Sequence, residues 1–412
     1  MDTATAMENL TFTPYQKFVI AILAFLQFTL IIDFMIISPL GAIVMPALQI
    51  TPRQFGWAVS SYAFSAAISG LLAAGFADRF DRKRLLLFFY GGFILGTALC
   101  ALADSYRLLV LARIVTGLFG GVIGSVVMAI ATDLFPLGMR GRVMGFIQTA
   151  FAASQVLGLP AGVYFANLWN WHLPFIAIVV IALPAWIVIL LSMKPVDAHL
   201  TVPQEHGAWT HLLRTLLEPR YTMAFATTAL LATGGYMLMP FGSAFTVHNV
   251  GLSFGDLPTI YFVSGLCTVF TGPLIGKATD HFGKLRIFFF GTSVTLVMVA
   301  IWTNLGAAGL ITVIIINVLL FVGIFSRMIP AQALMTAVPD IARRGAFNAI
   351  GASLQQFSGG IASVIAGVII VQDDGGPLQH FNWLGYIVMT TAVISLLLMR
   401  AIHRQVTKPG LG

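Results

Sequence analysis

The sequence predicts an all-α membrane protein with twelve transmembrane helices in two pseudo-symmetric six-helix halves. Of its 412 residues, 58% are hydrophobic and 9% are charged, against roughly 25% charged residues in an ordinary soluble domain. Apolar runs of about 20 residues, the length that crosses a bilayer, recur along the whole chain. The spanning element is helical, because a helix satisfies its own backbone hydrogen bonds and the alternating pattern of a membrane barrel does not occur.

Turn and loop signals separate the twelve apolar runs in order. The first six predicted spans are residues 18–44, 54–76, 85–102, 107–133, 143–166 and 172–193. The second six are residues 222–247, 257–278, 286–304, 308–335, 345–370 and 382–402. Breaking signals stand at residues 51–52, 104, 136–138, 167–171, 304–306, 339–340 and 373–377. The longest polar segment divides the runs, so we predict an N-terminal half over 1–193, a cytoplasmic linker over 194–221 and a C-terminal half over 222–412.

The distribution of basic residues predicts the orientation. Under these bounds, 18 of the 22 Lys and Arg residues fall at the termini or in even-numbered loops, and the odd-numbered loops hold Arg53 and Arg107. Basic loops stay in the cytoplasm, so both termini should be cytoplasmic. The region before the first span lacks a basic start and a cleavage site, so this span should stay attached. We expect a multi-pass protein of the cell inner membrane.

Several classes of partner and chemistry are not predicted. The net charge of +7 is spread over short loops, so no nucleic-acid partner is expected. Cys100 and Cys267 lie in apolar runs and predict no disulfide. Paired His and Glu at metal spacing, a nucleotide-binding glycine loop and two carboxylates at one depth do not occur in the sequence. We expect no enzyme activity, no metal and no cofactor, and we expect a monomer.

Two short matches indicate an internal repeat. The loop at residues 74–84, AGFADRFDRKR, aligns with the loop at residues 276–286, GKATDHFGKLR. Pro136 and Pro339 are each followed four residues later by an arginine, Arg140 and Arg343. Because the two matches have nearly the same offset, the chain should contain a duplicated six-helix unit.

These loops resemble the motif G-x-L-A-D-R-x-G-R-K of the major facilitator superfamily, and the resemblance covers essentially the whole chain. In the first copy Ala74 and Asp81 replace the motif glycines, and the matching residues are Asp78, Arg79, Arg82 and Lys83. In the second copy the matching residues are Gly276, Asp280, Gly283 and Lys284. The resemblance implies the twelve-helix transporter fold of that family.

The resemblance also implies a cytoplasmic gate at these loops. A carboxylate at a helix end can meet the N-terminus of a neighbouring helix and an arginine. We therefore expect Asp78 to hold the cytoplasmic side shut in an outward-open state, with Asp280 in the second copy. The alternative is that the loops are basic only to set the topology.

Two further motifs resemble those of the drug and metabolite:proton antiporters, the arabinose-efflux-permease-like group. Arg113, in LARIVTGLFGG, fits the motif R-x-x-x-G of the fourth helix. Gly158, Pro160 and Gly162 look like a variant of the helix-five motif of proton-driven exporters, with Leu159 as an additional residue. The resemblance implies export coupled to protons.

Asp33 is the acidic residue that lies well inside a predicted span, and a carboxylate there is costly enough to be a functional residue. Counting about 1.5 Å per residue places Asp33 and Arg113 at nearly the same depth. We expect the two to face each other and to exchange their salt bridge for protonation or substrate binding. The carboxylate would take up a proton when it loses the arginine and release it when the pair re-forms. The alternative is a static pair that fixes packing.

Other polar residues within spans are candidates for a cavity near the midplane between the halves. They are Gln27, Gln148, Gln155, Tyr236, Arg327, Gln332 and Gln356. Each of them could instead form a hydrogen bond between helices. For Arg327 the two possibilities are that it lines the cavity or that it extends to the cytoplasmic interface.

The sequence therefore predicts a secondary active transporter that exports a small amphipathic or hydrophobic compound, such as a drug, metabolite or sugar. Protons would drive it through rocker-switch alternating access, in contact with the lipid bilayer. Export of lipids or lysolipids and uptake by proton symport remain alternatives. A membrane receptor or scaffold is a further alternative, although the short loops do not favour it.

Overall fold

The computed structural model describes residues 11–201, 208–340, 343–373 and 375–407. Within these residues, twelve helices are long and apolar enough to cross a membrane. The first six are α1 (Pro14–Ile36), α2 (Pro52–Phe76), α3 (Arg82–Ala101), α4 (Tyr106–Leu134), α5 (Leu137–Leu168) and α6 (Leu173–Ser192). The second six are α7 (Pro219–His248), α8 (Leu257–Phe282), α9 (Lys284–Thr303), α10 (Leu310–Met335), α11 (Arg344–Ile369) and α12 (Phe381–Thr407). The predicted fold class is confirmed.

The first helix is shorter than the sequence indicates. We predicted one span over residues 18–44, but α1 ends at Ile36 and a turn leads into a short helix, Gly41–Ala47. Pro39 lies in this turn, and its missing amide hydrogen does not permit a regular helix there. The single long helix was wrong because apolar residues continue across the break.

The segment between α6 and α7 contains helical structure of its own. A 3₁₀ turn covers Ala198–Thr201, a short helix covers Ala208–Leu216, and α7 already begins at Pro219. The short helix packs against α11 and also touches α2 and α7. Parts of the predicted domains, residues 1–10, 202–207 and 408–412, lie outside the described residues.

The two sets of six helices repeat one packing scheme. In the first set α2 packs on α4, α3 on α4 and α6, and α1 on α5 and α6. In the second set the equivalent pairs are α8 on α10, α9 on α10 and α12, and α7 on α11 and α12. Every pair recurs six helices later, which is the arrangement expected of a duplicated unit.

The two sets meet where α2 packs along α11 and where α5 packs against α8. We call the end of the bundle at which α2 and α10 finish the basic face, and the other end the opposite face. Near the opposite face, a Cβ atom built on Gly56 would stand 2.6 Å from the carbonyl oxygen of Ser363. Ser60 Oγ donates a hydrogen bond of 2.8 Å to the carbonyl oxygen of Gly360. The backbones of α2 and α11 therefore touch at this end and close it.

The contact at Gly56 predicts a specific sensitivity. Gly56→Ala should destabilise the protein by about 1–3 kcal/mol, because the added methyl group overpacks the backbone of α11. The matched control is Gly272→Ala in α8, where a Cβ atom would have no neighbour within 4 Å. The melting temperature of the purified protein in detergent should fall for Gly56→Ala and stay level or rise for the control. Equal melting temperatures would contradict the close contact.

Candidate functional site

Asp33 of α1 and Arg113 of α4 form an ion pair in the first half. Arg113 Nη1 donates to Asp33 Oδ2 over 2.9 Å and to the carbonyl oxygen of the same residue over 3.2 Å. Thr97 Oγ1 of α3 donates to Asp33 Oδ1 over 3.0 Å. Both charged side chains have 0% exposure. The structure thus brings together the two residues that the sequence singled out, and their coupling role stays a prediction.

The other side of the Arg113 guanidinium faces an aromatic ring. Its central carbon lies 4.5 Å from the centroid of the Tyr62 ring on α2. Within the described residues, Arg113 Nε and Nη2 have no hydrogen-bond partner. The ring face, which carries negative electrostatic potential, is therefore the neighbour that compensates this side of the cation.

The predicted helix-five motif sets the position of α1. A Cβ atom on Gly158 would stand 2.4 Å from the Ile32 side chain, and one on Gly162 would stand 2.5 Å from the Ile36 side chain. The chain forms a π-helical turn at Ser154–Gly158, and Pro160 follows in the first turn of the next helical segment. The two glycines let α1 lie against α5, on the residues that flank Asp33.

A cavity of about 670 Å³ lies between α1, α2, α4 and α11. Its walls extend from Phe34 and Tyr62, inside the bundle, to Asp78, Arg82 and Gly345 at the basic face. The side chain of Asp78 is 69% exposed, so the cavity reaches solvent at the basic face. Its volume lies within the range of pockets that hold drug-sized molecules.

The inner part of the cavity is mainly apolar, with a few neutral polar groups. The uncharged polar lining residues are Gln27, Tyr62, Ser125, Asn348, Ser353 and Gln356. Among the described lining residues, the charged ones are Asp78 and Arg82 at the mouth. Such a surface can donate and accept hydrogen bonds without attracting a particular charge.

Three aromatic rings pack together at the inner end of the cavity. The centroid of Phe34 lies 5.3 Å from that of Tyr62 and 5.6 Å from that of Tyr236 on α7. The Tyr236 hydroxyl donates a hydrogen bond to Gln356 Oε1 on α11. This aromatic cluster (Phe34, Tyr62 and Tyr236) contains residues of both halves.

Of the seven predicted cavity residues, Gln27 and Gln356 line the cavity and Tyr236 adjoins it through Gln356. Gln148, Gln155, Arg327 and Gln332 do not line this cavity. Gln155 is buried in the π-helical turn, and its carbonyl oxygen packs against Gly265 of α8, where a Cβ atom would stand only 2.6 Å away. The direction in which each residue faces depends on helix rotation, which the polar character of a residue does not encode.

Arg327 lies between helices of the second half rather than in the cavity wall. It is 6% exposed, and its Nη2 donates to Ser395 Oγ of α12 over 3.0 Å. Its guanidinium carbon lies 5.8 Å from the ring centroid of Phe288 on α9. Neither of the two predicted positions, the cavity or the interface, describes this buried interhelical site.

Sequence reasoning did not select five of the lining residues as cavity candidates, namely Phe34, Tyr62, Ser125, Asn348 and Ser353. One feature of the sequence indicates that another helix packs closely on one face of α4. Gly117, Gly120 and Gly124 lie on the same face of α4 as Arg113, at helical spacing. Small residues at this spacing indicate a close neighbour, and α2 provides it.

At the basic face, Arg82 organises the first gate loop. Its guanidinium bonds Asp78 at 2.6 Å, Asp133 of α4 at 3.1 Å and the carbonyl oxygen of Ala77 at 2.9 Å. Arg82 is buried, and its backbone amide donates to the carbonyl oxygen of Val196 in the linker. The loop is thus fixed to α4 through the Arg82 side chain and to the linker through the Arg82 backbone amide.

The remaining predicted gate residues occupy the same face. Lys83 Nζ donates to the carbonyl oxygen of Leu190 in α6, and Arg79 is exposed in a 3₁₀ turn. In the second copy, Lys284 Nζ donates to the carbonyl oxygen of Ala333 in α10. Asp280 is exposed, and Gly283 has a φ of +93°, which only glycine adopts easily. The gating role of these residues stays a prediction.

Twelve spanning helices in two equivalent sets around a central cavity define a membrane transporter. Residues 23–363 match the profile of the Major Facilitator Superfamily. The chain belongs to this superfamily, so the family resemblance is confirmed, and the protein is a transporter rather than an enzyme.

Two curated relatives come from Bacillus subtilis (strain 168). The uncharacterized MFS-type transporter YtbD is 24% identical over 361 residues, 84% of this chain and 86% of YtbD. Multidrug resistance protein 2 is 23% identical over 325 residues, 77% of this chain and 80% of that protein.

Two solved structures share the fold. A mutant of the nucleoside transporter NupG aligns with a TM-score of 0.75 and 12% identity over 94% of this chain and 99% of its own. A bacterial homolog of the human lysosomal transporter Spinster, in an inward-facing and unoccupied conformation, aligns with a TM-score of 0.71 and 15% identity over 95% of this chain and 96% of its own.

The buried pair predicts a non-additive effect of mutation. Arg113→Met should destabilise the protein by about 3–5 kcal/mol, because it leaves the carboxylate of Asp33 buried and unpaired. The double variant Asp33→Leu with Arg113→Met should regain most of this loss, because no charge is left without a partner. Melting temperatures in detergent measure both. A double variant less stable than Arg113→Met would show that the pair itself, rather than an unpaired charge, holds the helices together.

Proposed function

We propose that the protein exports a small amphipathic or hydrophobic compound in exchange for protons, by rocker-switch alternating access. The observation that carries this proposal is the fully buried ion pair of Asp33 and Arg113, which lies one aromatic ring away from the cavity. A reversible pair at this position is a means of linking a proton to the conformation of the bundle.

The physical basis of coupling is the cost of an unpaired buried charge. While Arg113 donates to Asp33, the arginine offsets part of the cost of the buried carboxylate charge. If α1 and α4 separate in the other state, a carboxylate alone in this apolar site binds a proton. Return to the paired arrangement expels the proton. One proton is therefore carried in each cycle of opening and closing.

The cavity supports the proposed class of compound. Its inner wall offers amide, hydroxyl and aromatic groups on an apolar background, and the charged lining residues lie at the mouth. An apolar molecule with one or two hydrogen-bonding groups matches this surface. The similarity to the relative named Multidrug resistance protein 2 supports export of such compounds.

The basic residues favour a cytoplasmic basic face and cytoplasmic termini in the cell inner membrane. The cavity would then be open to the cytoplasm, where an exporter loads, and closed at the opposite face by α2 and α11. Asp78 and Gly345 both line the mouth, and Gly345 lies in the first turn of α11. Movement of Asp78 onto this helix N-terminus would close the mouth in the outward-open state. We propose that a single chain completes this cycle.

Transport in proteoliposomes tests the proposal. With a panel of neutral drugs, sugars, nucleosides and lysolipids, wild-type protein should show proton flux that depends on one class of compound. Asp33→Asn should abolish this flux and retain exchange of the same compound, because the proton carrier is lost and the cavity is intact. Asp104→Asn, in an exposed loop at the opposite face, is the matched control and should behave as wild type. Transport without proton flux, unchanged in Asp33→Asn, would identify a facilitator with a structural pair.

The assigned cavity wall predicts which amide contacts the compound. Gln356→Leu should raise the KM for the transported compound by about 3- to 10-fold, the effect of losing one neutral hydrogen bond. Gln332→Leu in α10 is the matched control, since Gln332 is exposed and outside the lining, and its KM should not change. Initial rates in proteoliposomes measure both values. A larger effect at Gln332 would place the binding site elsewhere.

A further inference from the structure

Tyr62 lies between the buried ion pair and the cavity. It is 4% exposed, yet it belongs to the cavity lining, so only a small part of the side chain reaches the cavity. Its ring face covers the Arg113 guanidinium at 4.5 Å. One residue thus contacts the cation of the pair and the space in which we place the transported compound.

The glycines of α4 permit this position. A Cβ atom on Gly120 would stand 2.9 Å from the Tyr62 hydroxyl oxygen, and one on Gly117 would stand 2.4 Å from the Tyr62 carbonyl oxygen. Arg113, Gly117 and Gly120 follow each other at helical spacing on one face of α4. Tyr62 therefore crosses a groove that begins at the cation and ends at the cavity wall.

The Tyr62 hydroxyl is available to a bound molecule. Within the described residues it forms no hydrogen bond, and it is not among the enclosed polar atoms that lack a partner. A phenolic hydroxyl donates and accepts, so a neutral polar group in the cavity can pair with it. The ring is also held by Phe34, whose centroid lies 5.3 Å away.

We propose that Tyr62 is the positioning residue that links occupancy of the cavity to the Asp33 and Arg113 pair. The inference rests on the proposed function and specifies the residue that carries its coupling. A compound that bonds the hydroxyl holds the ring over the guanidinium, which keeps Arg113 on Asp33 and opposes protonation of the carboxylate, as exchange of compound for proton requires. By linkage, protonation of Asp33 changes the cavity to the same extent that occupancy changes protonation.

Among the described residues, three titratable groups interact with Asp33. Arg113 approaches from α4, Tyr62 from α2, and Cys100 of α3 lies beside the same guanidinium. Towards α5, the neighbours of α1 include Gly158, which carries no charge. If access to the cavity changes with pH and this change requires Asp33, Tyr62 is therefore the side chain that can transmit it from the ion pair to the cavity.

The test measures access to the cavity without any transported compound. Ser125→Cys places a thiol on the cavity wall in a Cys267→Ala background, and a maleimide reports its exposure in nanodiscs between pH 6 and 8. The native Cys100 is buried. Gly141→Cys, at an exposed site of α5 where a Cβ atom has no neighbour within 4 Å, normalises the reactivity of the thiol at each pH.

In the otherwise wild-type protein, the normalised labelling rate should change by about fivefold or more across this pH range. Asp33→Asn and Tyr62→Leu should each make it independent of pH. Tyr62→Phe keeps the ring over Arg113 and should keep the dependence. A merely structural role of Tyr62 would lower the melting temperature in Tyr62→Leu and leave the dependence on pH in place, which would overturn the inference alone.

Gly120→Ala provides a second variant if Tyr62→Leu does not fold, because its methyl group would overlap the Tyr62 hydroxyl and push the ring from its place over Arg113. It should reduce the dependence on pH, and Gly124→Ala, with only Gln27 Nε2 at 3.8 Å, should not. Full dependence in Gly120→Ala would contradict the inference. A rate independent of pH in wild type, or one that Asp33→Asn does not alter, would overturn the proposed coupling at Asp33 and the inference with it.

Discussion

A pair of opposite charges without exposed surface, Asp33 and Arg113, constrains the arrangement of the first half. Removing each charge from water costs several kcal/mol, and only a close partner offsets that cost. α1 and α4 must therefore approach closely at one depth, and Thr97 of α3 completes the set of donors. The small residues Gly158 and Gly162 let α5 support α1 on its other side. The ion pair thus constrains α1 and α4, and the contacts of Thr97 and of the two glycines place α3 and α5 beside them.

The ion pair, the cavity and the contact between the halves share one layer of side chains. Tyr62 covers the cation, Phe34 packs on Tyr62 and on Tyr236, and Tyr236 donates to Gln356 of the second half. Because its side chains are closely packed, such a layer changes between discrete arrangements and does not deform gradually. A molecule that enters the cavity, a proton on Asp33 and a movement of the halves would each act on this layer, which gives a physical reason for them to be coupled.

The two halves share a scaffold but differ in chemistry. Their helix pairs correspond, yet Arg327 of α10 lies beside Ser395 and Phe288, and the described part of the second half gives it no carboxylate partner. The second half instead supplies one wall of the cavity through α11. At the basic face, Arg82 joins the first gate loop to α4 and to the linker. The repeated unit provides the fold of both halves. Different residues at corresponding places give the first half the ion pair and the second half one wall of the cavity.

By itself, the sequence determined the twelve spans, the repeat and the pairing of Asp33 with Arg113. These depend on local length, on local apolar character and on the cost of a charge within an apolar run, and residue counting gives depth. Only the tertiary structure decided the end of α1 at Ile36, the selection of Gln27 and Gln356 over the other polar residues, and the place of Tyr62. Those depend on the rotation of each helix about its axis and on close approach between helices distant in sequence, which packing in three dimensions sets.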